Sequence, residues 1–363
     1  MKVTCFHLLI QLLNAPEREV GLSLADWDRV LRLARRSNLM GRLAESLEAC
    51  SVRERLPAQV QPHMAAALAL SAHQSQAIIW EARHIAAALA PLNTRVVLLK
   101  GAAYAAAKLK AARGRLYGDV DILVPEPQLP EVEAAMMLHG WTAGHIDPYD
   151  DRYYRRWMHE LPPMVHLKRG TVVDVHHNIL PRTARNAPLA ERLLQAAVAL
   201  PDSPFAVLAP CDMVVHSATH LFHEGELGNG LRDLLDLADL MTEFSMRDPA
   251  FWPALTTRAR ELGLLWPLRL AFRYLVQVLD FPVPPEALVD AGAGSMADRL
   301  RDMLYLPGFR PDHPLCASPA TAIAKSLLYL RGHMLRMPPG LLLAHLGRKG
   351  WMHLYKSSSR TAV

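Results

Sequence analysis

Apolar positions recur at helical spacing over most of the chain, and strand-like patterning is confined to one stretch before the middle. Trp27, Val30, Leu31, Leu33 and Ala34 fall on one helical face, and a longer helical pattern covers residues 63–92, closed by Pro91 and Asn93. Residues 95–99 form a short β-branched and leucine run, broken by Gly101, that suits a buried strand. An alanine-rich helix is expected after it, to residue 112. Residues 119–124 alternate polar and apolar and stop at Pro125, which predicts a strand. Residues 129–139 predict a helix ending at Gly140, and residues 164–168 and 171–176 predict two strands joined by a tight turn at Arg169-Gly170. Helical patterns return from residue 188, with prolines at 201, 204, 210, 253 and 267 marking breaks, and residues 307–319 read as a linker.

These elements predict an α+β, predominantly helical protein. A small mixed-sheet core at 94–185 is flanked by an N-terminal helical region (1–93) and a helical domain (186–306), with a linker and basic helical tail at 307–363. The length of 363 residues suits two or three units. With 51% hydrophobic and 21% charged residues the chain can bury a sizeable core. Cys5, Cys50, Cys211 and Cys316 are far apart, so neither a disulfide framework nor a cysteine zinc site is suggested, and a reducing, cytoplasmic setting is expected. The apolar start is interrupted by Gln11 and Asn14 and reads as a first helix rather than a signal peptide. No apolar run reaches the roughly 18 residues of a membrane span.

Charge is unevenly placed. The net charge is +5, yet residues 313–363 hold Lys325, Arg331, Arg336, Arg348, Lys349, Lys356 and Arg360 without one acid, which leaves the rest slightly acidic. Global charge therefore gives no reason to read the body as a nucleic-acid binder, and nucleic acid is not indicated as a partner. The tail interleaves these cations with Leu327, Leu328, Leu330, residues 341–343 and Trp351. Two readings stay open for it: amphipathic helices on an anionic surface, including peripheral contact with a membrane, or a helix packed on the body.

The chemistry centres on Gly118-Asp119-Val120-Asp121. Alternate residues of a strand share a face, so Asp119 and Asp121 would repel each other unless a cation lies between them, and a hard divalent ion suits such a pair. A solvated edge strand could also carry two acids. Upstream, Lys100-Gly101-Ala102 closes a strand and opens a helix, a place where backbone N–H groups and a cation can meet an anion. Arg115 lies four residues before Asp119, within reach of a phosphate or of solvent. Downstream, Asp174 stands among valines in a strand, where an unpaired charge is costly, and His176 shares its face. His216, His220 and His223 follow helical spacing and suit a place lining a cleft better than a metal site.

Together these residues resemble the uncharacterised bacterial nucleotidyltransferase family of the DNA polymerase beta-like superfamily. The match runs over about residues 95–240: Leu98-Leu99-Lys100-Gly101, Arg115, Gly118 to Val124, Val173-Asp174-Val175-His176, and the helical runs at His216 and Leu231. The resemblance implies transfer of a nucleotidyl group from an NTP to an unidentified acceptor hydroxyl, with Mg²⁺ or Mn²⁺. Asp119, Asp121 and Asp174 would hold the metal and perform catalysis. Lys100, Gly101, Ala102, Arg115 and Gly118 would hold the nucleotide, and His176, His216 and His220 would line the cleft. Ala102 stands where the superfamily often has serine. That departure favours an alternative, an inactive nucleotidyltransferase-like scaffold that binds nucleotide or a partner, while the three acids oppose it.

Overall fold

The computed structural model describes residues 5–19, 21–144, 147–201, 203–289, 295–336 and 340. The N-terminal helices are α1 (Cys5–Asn14), α2 (Leu24–Arg36), α3 (Met40–Ala49) and the long α4 (Gln61–Leu89). The α/β part follows as β1 (Val97–Leu98), α5 (Lys100–Ala106), β2 (Asp119–Leu123), α6 (Leu129–Leu138), β3 (Trp141–Thr142), α7 (Pro148–Trp157), β4 (Met164–His166) and β5 (Val172–His176). After α8 (Ala190–Ala196), β6 (Val198–Ala199) and β7 (Ala206–Val207), the chain is helical: α9 (Pro210–His223), α10 (Gly230–Arg247), α11 (Phe251–Glu261), α12 (Leu265–Leu279), α13 (Pro285–Val289), α14 (Met296–Gly308) and α15 (Pro319–Arg336). The protein is α+β and predominantly helical, with one mixed seven-stranded sheet.

The sheet order is β3-β4-β5-β2-β1-β7-β6. At its centre β2 and β5 run parallel, with Asp121 opposite Asp174 and Asp119 opposite Val172. The β4–β5 hairpin expected from the sequence is present. The sheet also takes in β3, β6 and β7, each two residues long and too short to show alternation, so it reaches past residue 185 to Val207. The alanine-rich helix expected to reach residue 112 stops at Ala106. Lys108 adopts φ +54° and the Leu109 N–H reaches back 2.9 Å to the Tyr104 carbonyl, a left-handed helix stop of the kind glycine usually marks.

The amphipathic pattern of α2 is realised residue for residue, since Trp27, Val30, Leu31, Leu33 and Ala34 are its buried positions. Buried side chains form one continuous cluster from Phe6 to Leu328, so the helices before and after the sheet share its core. Charge pairs fix how they sit. Glu81 of α4 accepts two hydrogen bonds of 2.8 Å from Arg169, which clamps the β4–β5 turn onto that helix, and the guanidinium lies 4.8 Å from the Trp141 ring centre. Arg258 makes the same two-pronged contact with buried Asp212 of α9. Arg42 of α3 bridges Asp236 and Asp239 of α10, and Arg115 also pairs with Asp236. Close by, the backbones of Gly41 and Gly114 cross so tightly that a Cβ on Gly41 would lie 2.3 Å from the Gly114 carbonyl oxygen.

The described part of the basic tail packs on the body. Arg331 donates to the Phe222 carbonyl at 3.0 Å and stacks 4.5 Å from the Trp266 ring, while Arg336 donates to the Glu224 carbonyl at 2.9 Å. The tail beyond residue 340, with residues 341–343, Arg348, Lys349, Trp351, Lys356 and Arg360, lies outside the described residues. No helix among the described residues is long and apolar enough to cross a membrane.

The Asp236 cluster yields a stability prediction. Asp236→Ala leaves Arg42 and Arg115 facing each other with one carboxylate removed, and unpairing a buried ion cluster typically costs about 3–5 kcal/mol. Urea unfolding should show a loss of that order, and a shift no larger than that of Arg32→Ala, an exposed ion-pair control, would contradict the network's structural role.

Candidate active site

The site forms where β2 and β5 lie side by side. Parallel pairing in register puts Asp121 and Asp174 on the same face, and Asp119 joins that face two residues before Asp121. The strands' other face carries Val120, Ile122, Val173 and Val175, all buried, so the alternation in sequence separates a core face from an acid face. Asp121 is only 3% exposed, while Asp119 sits at the open mouth.

Asp121 is held by two donors on one oxygen. Lys100 Nζ donates to Oδ1 at 3.0 Å and His176 Nε2 to the same atom at 2.9 Å. Burial would raise the Asp121 carboxyl, but Lys100 and His176 outweigh it and hold it well below the usual range. Lys100 is half-buried and adopts φ +46°, a left-handed conformation that a lysine takes at a cost, directly before α5. The strain falls on the residue that supplies the site's ammonium group.

His176 is bonded at both ends. Its Nδ1 lies 3.2 Å from Glu160 Oε2, so the imidazole bridges Asp121 and Glu160, and these two carboxylates overcome the effect of burial and raise it. Glu160 faces His176 through a β-bridge, and His159 lies beside it with ring centres 5.2 Å apart. Burial, His176 and Lys100 hold His159 well below its ordinary value. On the helical side, His220 Nε2 bonds Glu224 at 2.8 Å. His216 is buried and held well below its ordinary value by desolvation and by Lys100, His220 and His176. His223 turns elsewhere, against the Thr219 carbonyl and the Trp266 ring.

The remaining acids have no such relief. Burial pushes the Asp174 carboxyl up to about 7, with Asp121, Glu160 and Asp119 adding to it. Its Oδ1 is buried without a hydrogen-bond partner among the described residues. Desolvation and Asp121 raise Asp119 as well. Donor atoms of Asp121, Asp174 and His176 lie within 4.8 Å of one another, a spacing that a divalent cation can draw together. An acid pair short of positive charge and a buried carboxylate oxygen without a partner are what such an ion would satisfy, so the residues fit Mg²⁺ or Mn²⁺.

The other residues singled out from the sequence are placed as follows. Arg115 is held by Asp236 and lies 5.6 Å from the Tyr104 ring centre. Gly101 makes room for it: a Cβ there would come within 2.9 Å of Arg115 Nε and 3.0 Å of Tyr117 Cδ1. Ala102 is buried, and Gly118 has open space around it. Glu160, His159 and Glu224 were not singled out. Glu224 could have been found from its spacing four residues after His220, whereas nothing local points to Glu160.

Asp174 gives a pH prediction. An acid whose folded pKa is raised binds more protons folded than unfolded, so its contribution to stability falls as pH rises from about 4 to about 7 and stays unfavourable above. In EDTA, Asp174→Asn should therefore raise the melting temperature most above pH 7 and little near pH 4. An equal gain at both ends would remove Asp174 as the titrating group. Mn²⁺ affinity of the native protein should weaken as pH drops below about 7.

No curated protein and no solved structure matches the chain. A family model does, over residues 23–280, from α2 through the sheet to the end of α12. By that match, which takes in the whole acid face and most of the surrounding helices, the chain belongs to the family described as uncharacterised nucleotidyltransferase.

Proposed function

We propose that the protein transfers a nucleoside monophosphate from an NTP to an acceptor hydroxyl and releases pyrophosphate. The observation that carries this reading is the in-register pairing of Asp121 with Asp174, with an unpartnered Asp174 oxygen on the face shared with Asp119. Bound Mg²⁺ or Mn²⁺ would supply charge neutralisation for the triphosphate. Asp121 and Asp174 would hold it, with Asp119 on the same face completing the carboxylate set. The acceptor oxygen forms a new bond to the α-phosphorus, the α–β anhydride bond breaks, and its electron pair leaves with pyrophosphate. Asp174 would take the hydroxyl proton. His176 fixes Asp121 from behind.

Lys100 serves the triphosphate in this reading, with Gly101 and Ala102 at the start of α5 and Gly118 leaving open space beside Asp119. Its ammonium group bonds Asp121, so loading requires it to exchange a carboxylate for a phosphate oxygen. Arg115 acts at longer range, lowering the Asp119 carboxyl while its guanidinium stays with Asp236. His216 and His220 line the cleft on the helical side. A nucleotide-binding scaffold without transfer is the second reading. Buried Ala102 favours it, since the hydroxyl often found at that position in the superfamily is missing.

Two experiments test the proposal. Incubation with each labelled NTP, Mg²⁺ or Mn²⁺ and cell extract should label an acceptor, and Asp119→Asn, Asp121→Asn or Asp174→Asn should each reduce labelling at least about a hundredfold while the protein stays folded. Nucleotide binding without any labelling would leave the scaffold reading in place. Lys100→Met should have effects of opposite sign. NTP affinity should fall about tenfold or more, as expected for a lost charge-assisted contact. Mn²⁺ alone should bind more tightly, because no ammonium group competes for Asp121. Unchanged NTP affinity in calorimetry would move the phosphate site away from Lys100.

A further inference from the structure

Two groups of side chains among the described residues bring three metal-type donors together. One is Asp121, Asp174 and His176; the other is His159, Glu160 and His176. The second differs in chemistry. Two imidazoles and one carboxylate suit a borderline transition ion such as Zn²⁺, whereas the carboxylate-rich face of Asp119, Asp121 and Asp174 suits Mg²⁺. We propose that His159, Glu160 and His176 form a second metal centre that takes a divalent transition ion of the Zn²⁺ class and keeps one coordination position open.

The geometry supports it at each donor. Ligands about 2.0–2.1 Å from a tetrahedral ion lie about 3.3 Å from one another. His176 Nδ1 and Glu160 Oε2 already stand 3.2 Å apart, His159 Nε2 is 4.0 Å from the same Oε2, and all three donors lie within 4.8 Å of one another, so closure is a side-chain adjustment of under about 2 Å. All three donors sit on fixed backbone. Glu160 and His176 form a β-bridge, Leu161 N–H bonds the Val175 carbonyl at 2.9 Å, and His177 N–H bonds the His159 carbonyl at 2.8 Å. His176 presents Nδ1 to the centre while Nε2 bonds Asp121, the carboxylate–histidine–metal arrangement that orients metal-bound imidazoles. His159 Nδ1 is buried with no hydrogen-bond partner among the described residues, so no hydrogen bond there fixes the ring against the small turn that would bring Nε2 to the ion.

Charge points the same way. Asp119, Asp121, Asp174, Glu160 and Glu224 all act on this region; Lys100 opposes them throughout, while Arg115 acts on Asp119 and Arg336 on Glu224. One ion on the acid face leaves Glu160 without a permanent counter-charge beyond Lys100, which Asp121 already engages. The centre requires nothing of nucleotidyl transfer. It rests on its own three donors.

The test is Co²⁺ titration of the full chain after removal of metal with EDTA, read by visible d–d absorption, which is intense for four-coordinate and weak for six-coordinate Co²⁺. The native protein should develop intense absorption at about one equivalent, and Zn²⁺ should displace it. Glu160→Gln and His159→Gln should each weaken Co²⁺ binding by more than about tenfold, with folding checked by circular dichroism. Asp174→Asn should keep the absorption, because Asp174 belongs to the other group. Absence of intense absorption in the native protein overturns the proposal, whatever the variants do. Absorption lost with Asp174→Asn but kept in Glu160→Gln also overturns it, and places the ion on the acid face. Absorption kept in a protein that labels no acceptor would leave this centre standing while the transferase reading fails.

Discussion

Asp121 carries a charge in the middle of the sheet, 3% exposed, and the surrounding structure is arranged to make that charge tolerable. An ionised carboxylate in such a place is stable only when paired and hydrogen-bonded. Lys100 and His176 do this on one oxygen, and each is itself held by a cost or a partner: Lys100 by a left-handed backbone, His176 by Glu160. Parallel pairing then sets Asp174 directly beside Asp121, where like charge and burial leave it short of a counter-ion. The same register that solves the problem of one acid creates that of the next, and a cation held on this face would relieve the surplus.

The helices matter to this face because they fix its walls. Glu81 clamps the turn that feeds β5, through Arg169. Asp236 holds Arg115, which in turn fills the space a side chain at Gly101 would take. The start of α5, and with it Lys100, is thus positioned by α10, more than a hundred residues later in the chain. A buried ion pair is weak evidence of stability in itself, since desolvation offsets much of its attraction. Its value here is directional: a guanidinium between Tyr104 and Asp236 leaves one arrangement for the loop before β2.

What could be read from the sequence follows the range of the interactions. The buried face of α2, the long α4, the β4–β5 hairpin and the acid alternation of β2 are local patterns, and each is realised. The stop of α5 at Lys108 was hidden because lysine occupies a left-handed position normally marked by glycine. β3, β6 and β7 were hidden because two-residue strands have no period. In the site, Asp119, Asp121, Asp174, Lys100 and His176 could be chosen because their spacing or neighbours made them anomalous. Glu160 could not, since it meets His176 through a bridge between segments with no shared pattern.

Lys100 and Arg115 show why residue type alone does not assign a cation. Both precede the acid strand and both could be drawn toward a phosphate. The structure separates them by what else each must satisfy. Arg115 has a buried aspartate on another helix, and releasing it would leave Asp236 with Arg42 alone and open the space beside Gly101. Lys100 is bonded to an acid that a divalent ion would also claim, so the arrival of positive charge at Asp121 weakens the bond that holds it. In the proposed reaction the ammonium group, bonded at the centre of the site, would move as the site fills, whereas a guanidinium shared with the scaffold would stay. In that reading the two cations take different parts, and the difference comes from their partners rather than from their charge.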